Sequence, residues 1–300
     1  MFRKPVAAAL SLVLAVSLCP TPGFADEGGC ELAAGGTIAA QAATKTVWVR
    51  SQIGATTVKT YSGNLKIPAT KYTYNKNGLV TKVASCWLTF DSKLGTLTTS
   101  YKYNSKGLLT KKTVTRKSDR ETTKETTTCI YNSSNQLAKT KRTTNTTYDK
   151  DITSTYQYDE QGRISKKIVM NENNAVNDGV KNRVVRSKYT YSYNDAGRIT
   201  QQKVDEDYNN GSKWISWGSS QTAYSYDGQG NVKSVKGAYD TTTYSYSYKS
   251  GLASTQKIKR SGGTETYKYQ YKKLSVPAKY AGLVQQQQSD LLNPSATGLY

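Results

Sequence analysis

The chain has 300 residues, among them 42 Lys and Arg against 21 Asp and Glu, and it contains no histidine. Without an imidazole it can build no Ser-His-Asp or Cys-His nucleophile pair, no His-ligated zinc site and no histidine pH switch. Tyrosine occurs 24 times, whereas Phe occurs 3 times and Met 2 times, so any core must be built largely from tyrosine. No catalytic set converges in the sequence. We therefore expect a protein that is not an enzyme, with no catalytic residue, no metal site and no cofactor.

The first 25 residues have the pattern of a secretory signal peptide. Basic residues at 3–4 precede an apolar stretch at 6–19, and small residues occupy the first and third positions before a cleavage point after Ala25. A membrane anchor is the alternative, but the apolar stretch is shorter than the roughly 20 residues that a spanning helix needs. Cys19 offers a lipoprotein alternative, which the bulky Leu18 before it disfavours. We predict a secreted or extracellular protein, free or associated with a cell surface, with no transmembrane segment after cleavage.

One nine-residue phrase recurs along the rest of the chain. Its best copies are YTYNKNGLV at 72–80, YKYNSKGLL at 101–109, YQYDEQGRI at 156–164, YSYNDAGRI at 191–199 and YSYDGQGNV at 224–232. Degenerate copies read CIYNSSNQL at 129–137 and YSYKSGL at 246–252. A fixed phrase at variable spacing predicts recurrent hairpin turns between strands of variable length.

The residues of the phrase suit a β-hairpin. Tyr-x-Tyr places two rings on one face of a strand, because side chains alternate with a period of two. Asn or Asp opens a turn by binding its own backbone, and Gly three positions later supplies a positive φ. Asn135 replaces that Gly in one copy and tolerates the same conformation. The sequence thus predicts an all-β fold, an antiparallel meander of repeated hairpins that forms a long twisted or curled sheet, or a partial barrel.

The phrase resembles the YD repeat of the Rhs family, whose consensus is similar to Y-x-Y-D-x-x-G-R-[LI]. The copy at 156–164 matches every defined position, and the copy at 191–199 differs only by Asn194. This resemblance extends roughly over residues 70–272. It implies an exported protein with a long antiparallel sheet that coils into a shell or barrel, in a family associated with cell surfaces, toxin delivery or carbohydrate contact. No recognisable toxin domain follows this short array, so we do not expect toxin encapsulation.

The sequence divides into four regions. We predict a signal peptide at 1–25, a flexible linker at 26–44, the repeat-built β domain at 45–276 and a C-terminal tail at 277–300. Pro277 should stop the sheet, and a short helix is predicted at 281–292. We interpret that helix as a cap over an open end of the sheet, where it would protect the last strand from edge pairing.

Basic and acidic residues are distributed differently along the predicted hairpins. Return strands are rich in Lys and Arg, whereas Asp and Glu cluster at turns. Successive return strands of a meander lie about 9.6 Å apart, which predicts a basic stripe that attracts polyanions. The candidate binding residues in this stripe are Lys111, Lys112, Lys139, Lys141, Arg142, Lys166 and Lys167. The alternative is that these residues only keep an open sheet soluble and its edges unpaired.

Two tryptophans are further binding candidates. Trp214 and Trp217 lie in GSKWISWGSS, where the flanking Gly and Ser suggest a loop, and an exposed pair of indoles could line a groove that stacks sugars. Local packing of the two rings is the alternative, because a spacing of three does not place them on one face of a strand.

Three cysteines remain after the predicted cleavage: Cys30, Cys86 and Cys129. In a flat meander three strand steps separate Cys86 from Cys129, or about 14 Å, which is beyond the Cα separation of a disulfide. We predict that these two are not bonded to each other. Cys30 lies in the linker and could pair with either.

Together these features predict an exported, non-enzymatic surface or secreted repeat protein. It would bind polyanionic or carbohydrate material, of a cell wall or a host glycan, through a basic, tyrosine-rich sheet. The alternative is a structural scaffold or an adhesin-like module with a protein partner. Nucleic acid is not expected as a partner, because the predicted signal peptide exports the chain.

Overall fold

The computed structural model describes residues 43–60, 63–89, 93–145, 151–174, 183–209 and 211–292. The predicted signal peptide and nearly all of the predicted linker lie outside these ranges. Within them the chain forms eighteen strands and one helix: β1 (Thr44–Ile53), β2 (Thr56–Thr60), β3 (Gly63–Ile67), β4 (Thr70–Tyr74), β5 (Val80–Leu88), β6 (Leu94–Tyr103), β7 (Leu109–Lys117), β8 (Thr122–Tyr131), β9 (Leu137–Thr144), β10 (Asp151–Tyr158), β11 (Ile164–Asn174), β12 (Arg183–Tyr193), β13 (Ile199–Asn209), β14 (Trp214–Tyr226), β15 (Val232–Lys236), β16 (Thr241–Lys249), β17 (Leu252–Arg260), β18 (Gly263–Pro277) and α1 (Ala278–Leu292).

Sixteen of these strands form a closed antiparallel barrel. Strands β4 to β18 follow one another in sequence order, as the meander predicts, and β1 closes the barrel between β18 and β4. The β1–β18 ladder runs from Thr44↔Pro277 to Ile53↔Tyr269, whereas β1 meets β4 at only two residue pairs. Strands β2 and β3 form a separate hairpin. The sheet is therefore closed, where the sequence predicted a curled sheet or a partial barrel.

The tyrosines of the phrase face the interior of the barrel. In β16 the three tyrosines are half-buried and the serines between them are exposed. Tyr72 and Tyr101 are buried in one cluster with Ile53, Val83 and Leu109. We call the face that carries the Tyr-x-Tyr side chains the inner wall and the opposite face the outer wall. Most fully buried apolar side chains of the described residues are Val, Leu or Ile, and four are tyrosines. The expectation of a core built largely from tyrosine is therefore wrong, since aliphatic residues form most of the buried core and most tyrosines line it half-buried.

The turns of the phrase have the predicted chemistry. The Asn75 side-chain oxygen accepts hydrogen bonds from the backbone N–H of Asn77 at 2.9 Å and of Leu79 at 3.0 Å. Gly78 has a φ of 80°, and Asn135, which replaces Gly, has a φ of 60°. The bond from the first side chain to the fifth backbone N–H recurs in the turns at 104–108, 132–136, 159–163, 194–198 and 227–231. Local sequence therefore fixes each hairpin.

In five copies of the phrase the second tyrosine joins its hairpin to the preceding one. Its hydroxyl donates to the backbone carbonyl of the residue at which the preceding return strand begins. The bonds run from Tyr103 to Val80 at 2.6 Å, Tyr131 to Leu109 at 2.9 Å, Tyr158 to Leu137 at 2.9 Å, Tyr193 to Ile164 at 2.6 Å and Tyr226 to Ile199 at 2.6 Å. We call these five bonds the tyrosine ladder.

The tyrosine ladder begins where the backbone ladder ends. The last β5–β6 pair at this end is Lys82↔Ser100, so the Val80 carbonyl lies beyond the paired backbone. Without the Tyr103 hydroxyl the Val80 carbonyl would lose this hydrogen-bond donor, and a buried carbonyl without a donor lowers the stability of the fold. The tyrosine thus supplies both apolar area and a hydrogen bond.

Helix α1 covers the barrel end that carries the first two turns of the phrase. Val284 and Ala281 are buried with Val47, Val49 and Leu79. The predicted helix at 281–292 is confirmed, although it begins earlier, directly after the sheet ends at Pro277. Its interpretation as protection for an edge strand is wrong, because β18 pairs with β1 on one side and with β17 on the other.

A run of glutamines holds the helix against the barrel. Gln287 is 2% exposed; it accepts from the Val80 N–H at 3.0 Å and donates to the Tyr103 hydroxyl at 2.8 Å. Gln288 accepts from the Arg50 N–H at 2.8 Å. These side chains accept from the backbone N–H groups of Val80, at the start of β5, and of Arg50, within β1, which explains two polar residues on the packed face of the helix.

Replacing Tyr226 by Phe tests the tyrosine ladder. The variant keeps the ring and removes the hydroxyl that binds the Ile199 carbonyl, so we expect the free energy of unfolding to fall by about 1 to 2 kcal/mol. Urea unfolding measures this loss. Tyr239→Phe is the control, because Tyr239 is fully exposed. Equal stability of the two variants would contradict a structural role for the bond.

Replacing Gln287 by Ala tests the attachment of the helix. Two hydrogen bonds of a buried amide are lost, and we expect a loss of about 2 to 3 kcal/mol. Hydrogen exchange at the Val80 amide should accelerate, because its acceptor is removed. Gln285→Ala is the matched control, since Gln285 lies two residues away on the same helix and is exposed. An unchanged Val80 exchange rate in the Gln287 variant would be inconsistent with this attachment.

Candidate functional site

The structure divides the predicted basic stripe between the two walls. Successive residues of a strand point to opposite faces, so neighbours such as Lys111 and Lys112 cannot share one. Four side chains lie on the outer wall and three on the inner wall: Lys111, Lys139, Lys141 and Lys166 outside, Lys112, Arg142 and Lys167 inside. The single continuous stripe is therefore wrong in its geometry. The expected display of tyrosine beside these lysines is wrong too, because the tyrosines face inward.

Exposed lysines of the outer wall lie in register across strands. Lys102 of β6 pairs directly with Lys111 of β7, and Thr128 of β8 links Lys111 to Lys141 of β9. The three lysines, here named the outer lysine row, are exposed and span three strand spacings, or about 14 Å. Like charges directly opposite each other destabilise a sheet. A bound anion would relieve this repulsion.

The outer wall between the lysines is polar except at Ile130, which pairs with Lys139 and is 49% exposed. Along β16 its residues are Thr and Ser, and along β9 they are Lys139, Lys141 and Thr143. Lys141 has one acidic neighbour, Asp151, at 3.8 Å. Side chains of this kind present ammonium groups and hydroxyl donors to water, which are the groups that bind anionic oxygens.

The inner wall buries two of the predicted binding lysines. Lys112 and Lys167 are 3% and 6% exposed, and each pairs with the first tyrosine of its hairpin, Tyr101 and Tyr156. Burial lowers the pKa of both ammonium groups to about 8. The Lys167 ammonium also lies 5.1 Å from the ring centroid of Tyr189. These lysines belong to the packed interior and cannot reach a polymer outside the barrel.

Arg142 lies on the inner wall with an acidic partner. Its guanidinium is 3.4 Å from the Glu125 carboxylate. Cross-strand pairing places Lys112, Thr127 and Arg142 in one row. Burial is the main cause of the lowered pKa of Lys112, and the positive charges of Arg116 and Arg142 lower this pKa further. Glu125 partly compensates this buried charge. Arg142 is thus part of an internal charged cluster.

The two tryptophans lie in strand β14, so their assignment to a loop is wrong. A β-bulge interrupts the β13–β14 ladder between Asp207↔Ser216 and Glu206↔Gly218 and leaves Trp217 without a cross-strand partner. Trp217 contacts the Tyr208 ring edge-on at 6.0 Å, and Tyr208 points to the opposite face of β13 from Asp207. The two indoles therefore do not line one groove.

Trp214 is part of a charged cluster on the outer wall. The Arg186 guanidinium lies 3.9 Å from the Trp214 ring centroid and donates two hydrogen bonds to Asp207, at 2.8 and 2.6 Å. Lys188 donates to the same carboxylate at 2.9 Å. The hydrogen bonds from Arg186, and to a smaller extent the bond from Lys188, hold the pKa of Asp207 below its usual range. Trp214 is 36% exposed, so part of its ring remains accessible.

Sequence reasoning missed Lys102, Arg186, Lys188 and Asp207 as outer-wall residues. The signal was present in the tyrosines: residues one position away from a Tyr-x-Tyr side chain lie on the other face. Lys188 precedes Tyr189, and Lys102 lies between Tyr101 and Tyr103. Counting outward from the tyrosines would have assigned these lysines to the outer wall.

The two described cysteines, Cys86 and Cys129, are free thiols, which confirms that they do not bond to each other. Cys129 occupies the inward position that tyrosine takes in other copies, and burial raises its pKa to about 11. Cys86 pairs with the exposed Thr96 on the outer wall. Opposite walls and the intervening strands β6 and β7 keep the sulfurs apart. Cys30 lies outside the described residues.

Among the described side chains, no group of three or more His, Cys, Asp or Glu could hold a metal ion. In the same part of the chain, no helix has the length and apolar character needed to cross a membrane.

No family model and no curated protein sequence matches the chain. Among solved structures it is similar to a porin-like protein from Bacteroides uniformis, with 12% identity and a TM-score of 0.45 over 74% of this chain and 98% of the other. It is also similar to TcdB2-TccC3 without the hypervariable C-terminal region, with 10% identity and a TM-score of 0.23, and to TcdB2-TccC3-TEV, with 12% identity and a TM-score of 0.19. These two matches cover 67% and 72% of this chain but only 15% and 16% of theirs. Such scores support no inference about function.

The buried lysines predict a pH dependence of stability. Between the folded pKa of about 8 and the unfolded value of about 10.4, the unfolded chain binds more protons than the folded one. Each of these lysines therefore adds to the free energy of unfolding as the pH rises through this window, by about 1 kcal/mol per lysine and pH unit. Tyrosines and Cys129, whose pKa values burial raises, act in the opposite direction near pH 9.5, because they ionise first in the unfolded chain. The contribution of the lysines is therefore measured as a difference between variants in urea unfolding at about pH 8 and about pH 9.5.

The stability of the double variant K112M/K167M relative to the unmodified protein should fall as the pH rises from about 8 to about 9.5, because the variant lacks the contribution of the two lysines. The matched control K111M/K166M removes the outward-facing neighbours on the same strands and should follow the unmodified protein. If the difference between K112M/K167M and the unmodified protein does not change with pH, or if K111M/K166M shows the same change, the assignment to the inner lysines is wrong.

Proposed function

We propose that the protein is exported and binds an anionic polymer at a cell surface, a wall polymer or a glycan that carries acidic groups. The outer lysine row carries this proposal. It places three exposed ammonium groups on one wall, two of them directly opposite each other. Such a pair is unfavourable by itself and gains from a ligand that brings negative charge between the lysines.

The side chains around the row support a water-facing surface. Lys, Thr and Ser occupy the middle of outer-wall strands such as β7 and β16, where a lipid-facing barrel would carry an apolar band. Hydroxyl groups add neutral hydrogen-bond donors for sugar oxygens. The partly exposed Trp214 ring beside Arg186 offers a further surface for a sugar ring.

The sequence adds two supports. The predicted signal peptide favours export, and the resemblance to the YD repeat favours a role at a cell surface. The structure changes the binding surface expected from sequence, because lysines and hydroxyls take the place of the predicted tyrosine-rich face. A scaffold or adhesin-like module with a protein partner is the second candidate, since Ile130 is 49% exposed on the outer wall.

Salt dependence of binding tests this function. The mature chain should bind an acidic polysaccharide at least about tenfold more tightly than a neutral one, and binding should weaken at least about tenfold between about 50 mM and about 500 mM salt. Surface-immobilised polysaccharides measure both. Binding that ignores salt, or that is equal for acidic and neutral polymers, would contradict an electrostatic role and favour the second candidate.

Charge-removing variants locate the binding wall. The variant K102Q/K111Q/K139Q/K141Q should bind about tenfold more weakly, because four outer-wall ammonium groups are lost. The control K66Q/K76Q/K106Q/K249Q removes the same charge from exposed positions on a separate hairpin and near turns. It should weaken binding far less. Equal losses would mean that net charge, and not the outer wall, determines affinity.

A further inference from the structure

The outer wall is indented across strands β14 to β18. A depression of about 400 Å³ lies there, lined by residues that include Ser234, Thr243, Lys257 and Lys259. Its volume falls within the range of small-molecule sites. Strand β15, which crosses the depression, has only five residues, whereas β14 has 13.

Small hydroxyl side chains form the floor of the depression. Cross-strand pairing places Ser225, Ser234, Thr243, Lys259 and Thr264 in one row across five strands. Four of these five residues are Ser or Thr, which are short, so the surface is low between the longer lysines. The Ser225 and Ser234 hydroxyls lie 2.7 Å apart and share a hydrogen bond. The floor therefore offers several adaptable donors in a line.

Lysines border the floor. Lys257 and Lys259 lie two residues apart on β17 and point to the same face, about 6.7 Å from each other along the strand. Both are exposed, and Lys233 of β15 lines the depression as well. No acidic residue of the described chain is among the lining residues. This distinguishes the depression from the outer lysine row, where Asp151 lies 3.8 Å from Lys141.

We propose that this depression is a binding site for an acid-bearing sugar unit. Lys233, Lys257 and Lys259 would bind the acid group, and the hydroxyls of the floor would bind the sugar. The proposal rests on the proposed function and adds a second site on the outer wall, separate from the outer lysine row, at which one unit of the polymer is recognised. Ammonium groups act as point charges, so the shared chemistry is an anionic oxygen cluster on a sugar, as a phosphate, a sulfate or a carboxylate.

Matched double variants test this binding site with short oligosaccharide probes. The probes are one oligosaccharide in phosphorylated, sulfated, carboxylated and neutral forms, titrated into the mature chain by calorimetry. K257Q/K259Q should weaken binding of the preferred acidic form about tenfold, because two charge-assisted hydrogen bonds are lost. K71Q/K82Q is the control: it also removes two exposed outer-wall lysines, on the neighbouring strands β4 and β5 and outside both the depression and the outer lysine row, and it should weaken binding less than about threefold.

A third variant tests the floor. Thr243→Val keeps the shape and removes the hydroxyl, and we expect a several-fold loss with an unchanged salt dependence. Backbone amide shifts at Ser234 and Thr243 on addition of the acidic probe should identify the same place, and all three variants should unfold at similar urea concentrations.

The outcomes separate this proposal from the proposed function. Equal losses in K257Q/K259Q and K71Q/K82Q, or polymer binding without any binding of the short acidic probes, would overturn the site in the depression and leave the outer-wall function standing. Failure of the mature chain to bind any acidic polymer would overturn both. The relative affinities of the phosphate, sulfate and carboxylate forms show which source of acidic groups the site prefers.

Discussion

The hydroxyl of the second tyrosine in five copies of the phrase binds the carbonyl at which the preceding return strand begins, and the architecture depends on this bond. It joins neighbouring hairpins at the point where the backbone ladder stops, from Tyr103 to Tyr226. The same ring lines the inner wall and adds apolar area around a core formed mainly by Val, Leu and Ile. Once the tyrosines face inward, alternation leaves lysine and threonine outside, and the charged surface follows from the packing of the interior.

Local sequence rules predicted the hairpins, but they did not predict that the sheet closes into a barrel. The Asn75 side-chain bonds and the positive φ of Asn135 depend on a few adjacent residues, so the sequence was sufficient. Closure depends on β1, which carries no copy of the phrase and pairs with β18 more than 200 residues away. No periodicity marks such a partner. Trp217, the extra residue at the β-bulge, likewise has no local signature strong enough to separate a strand from a loop.

The candidate site was predictable in part. The excess of lysine on return strands was visible, but alternation had to be applied to each residue: Lys111 and Lys139 face water, whereas Lys112 and Lys167 are buried beside Tyr101 and Tyr156. Burial of a lysine depends on how the wall curves over it, which a single strand does not reveal. The depression over β15 is also a property of five neighbouring strands. Its serines and threonines look ordinary until pairing places them in one row.

The seam between β1 and β4 is the weakest junction of the wall. It consists of two residue pairs, Gln52↔Lys71 and Ile53↔Thr70, whereas nine residue pairs join β1 to β18 on its other side. Hairpin β2–β3 leaves the wall at this same place, since it connects β1 to β4 in the chain. A force applied to that hairpin would act directly on the β1–β4 junction. The barrel would open there into a sheet whose other strand pairs remain hydrogen-bonded.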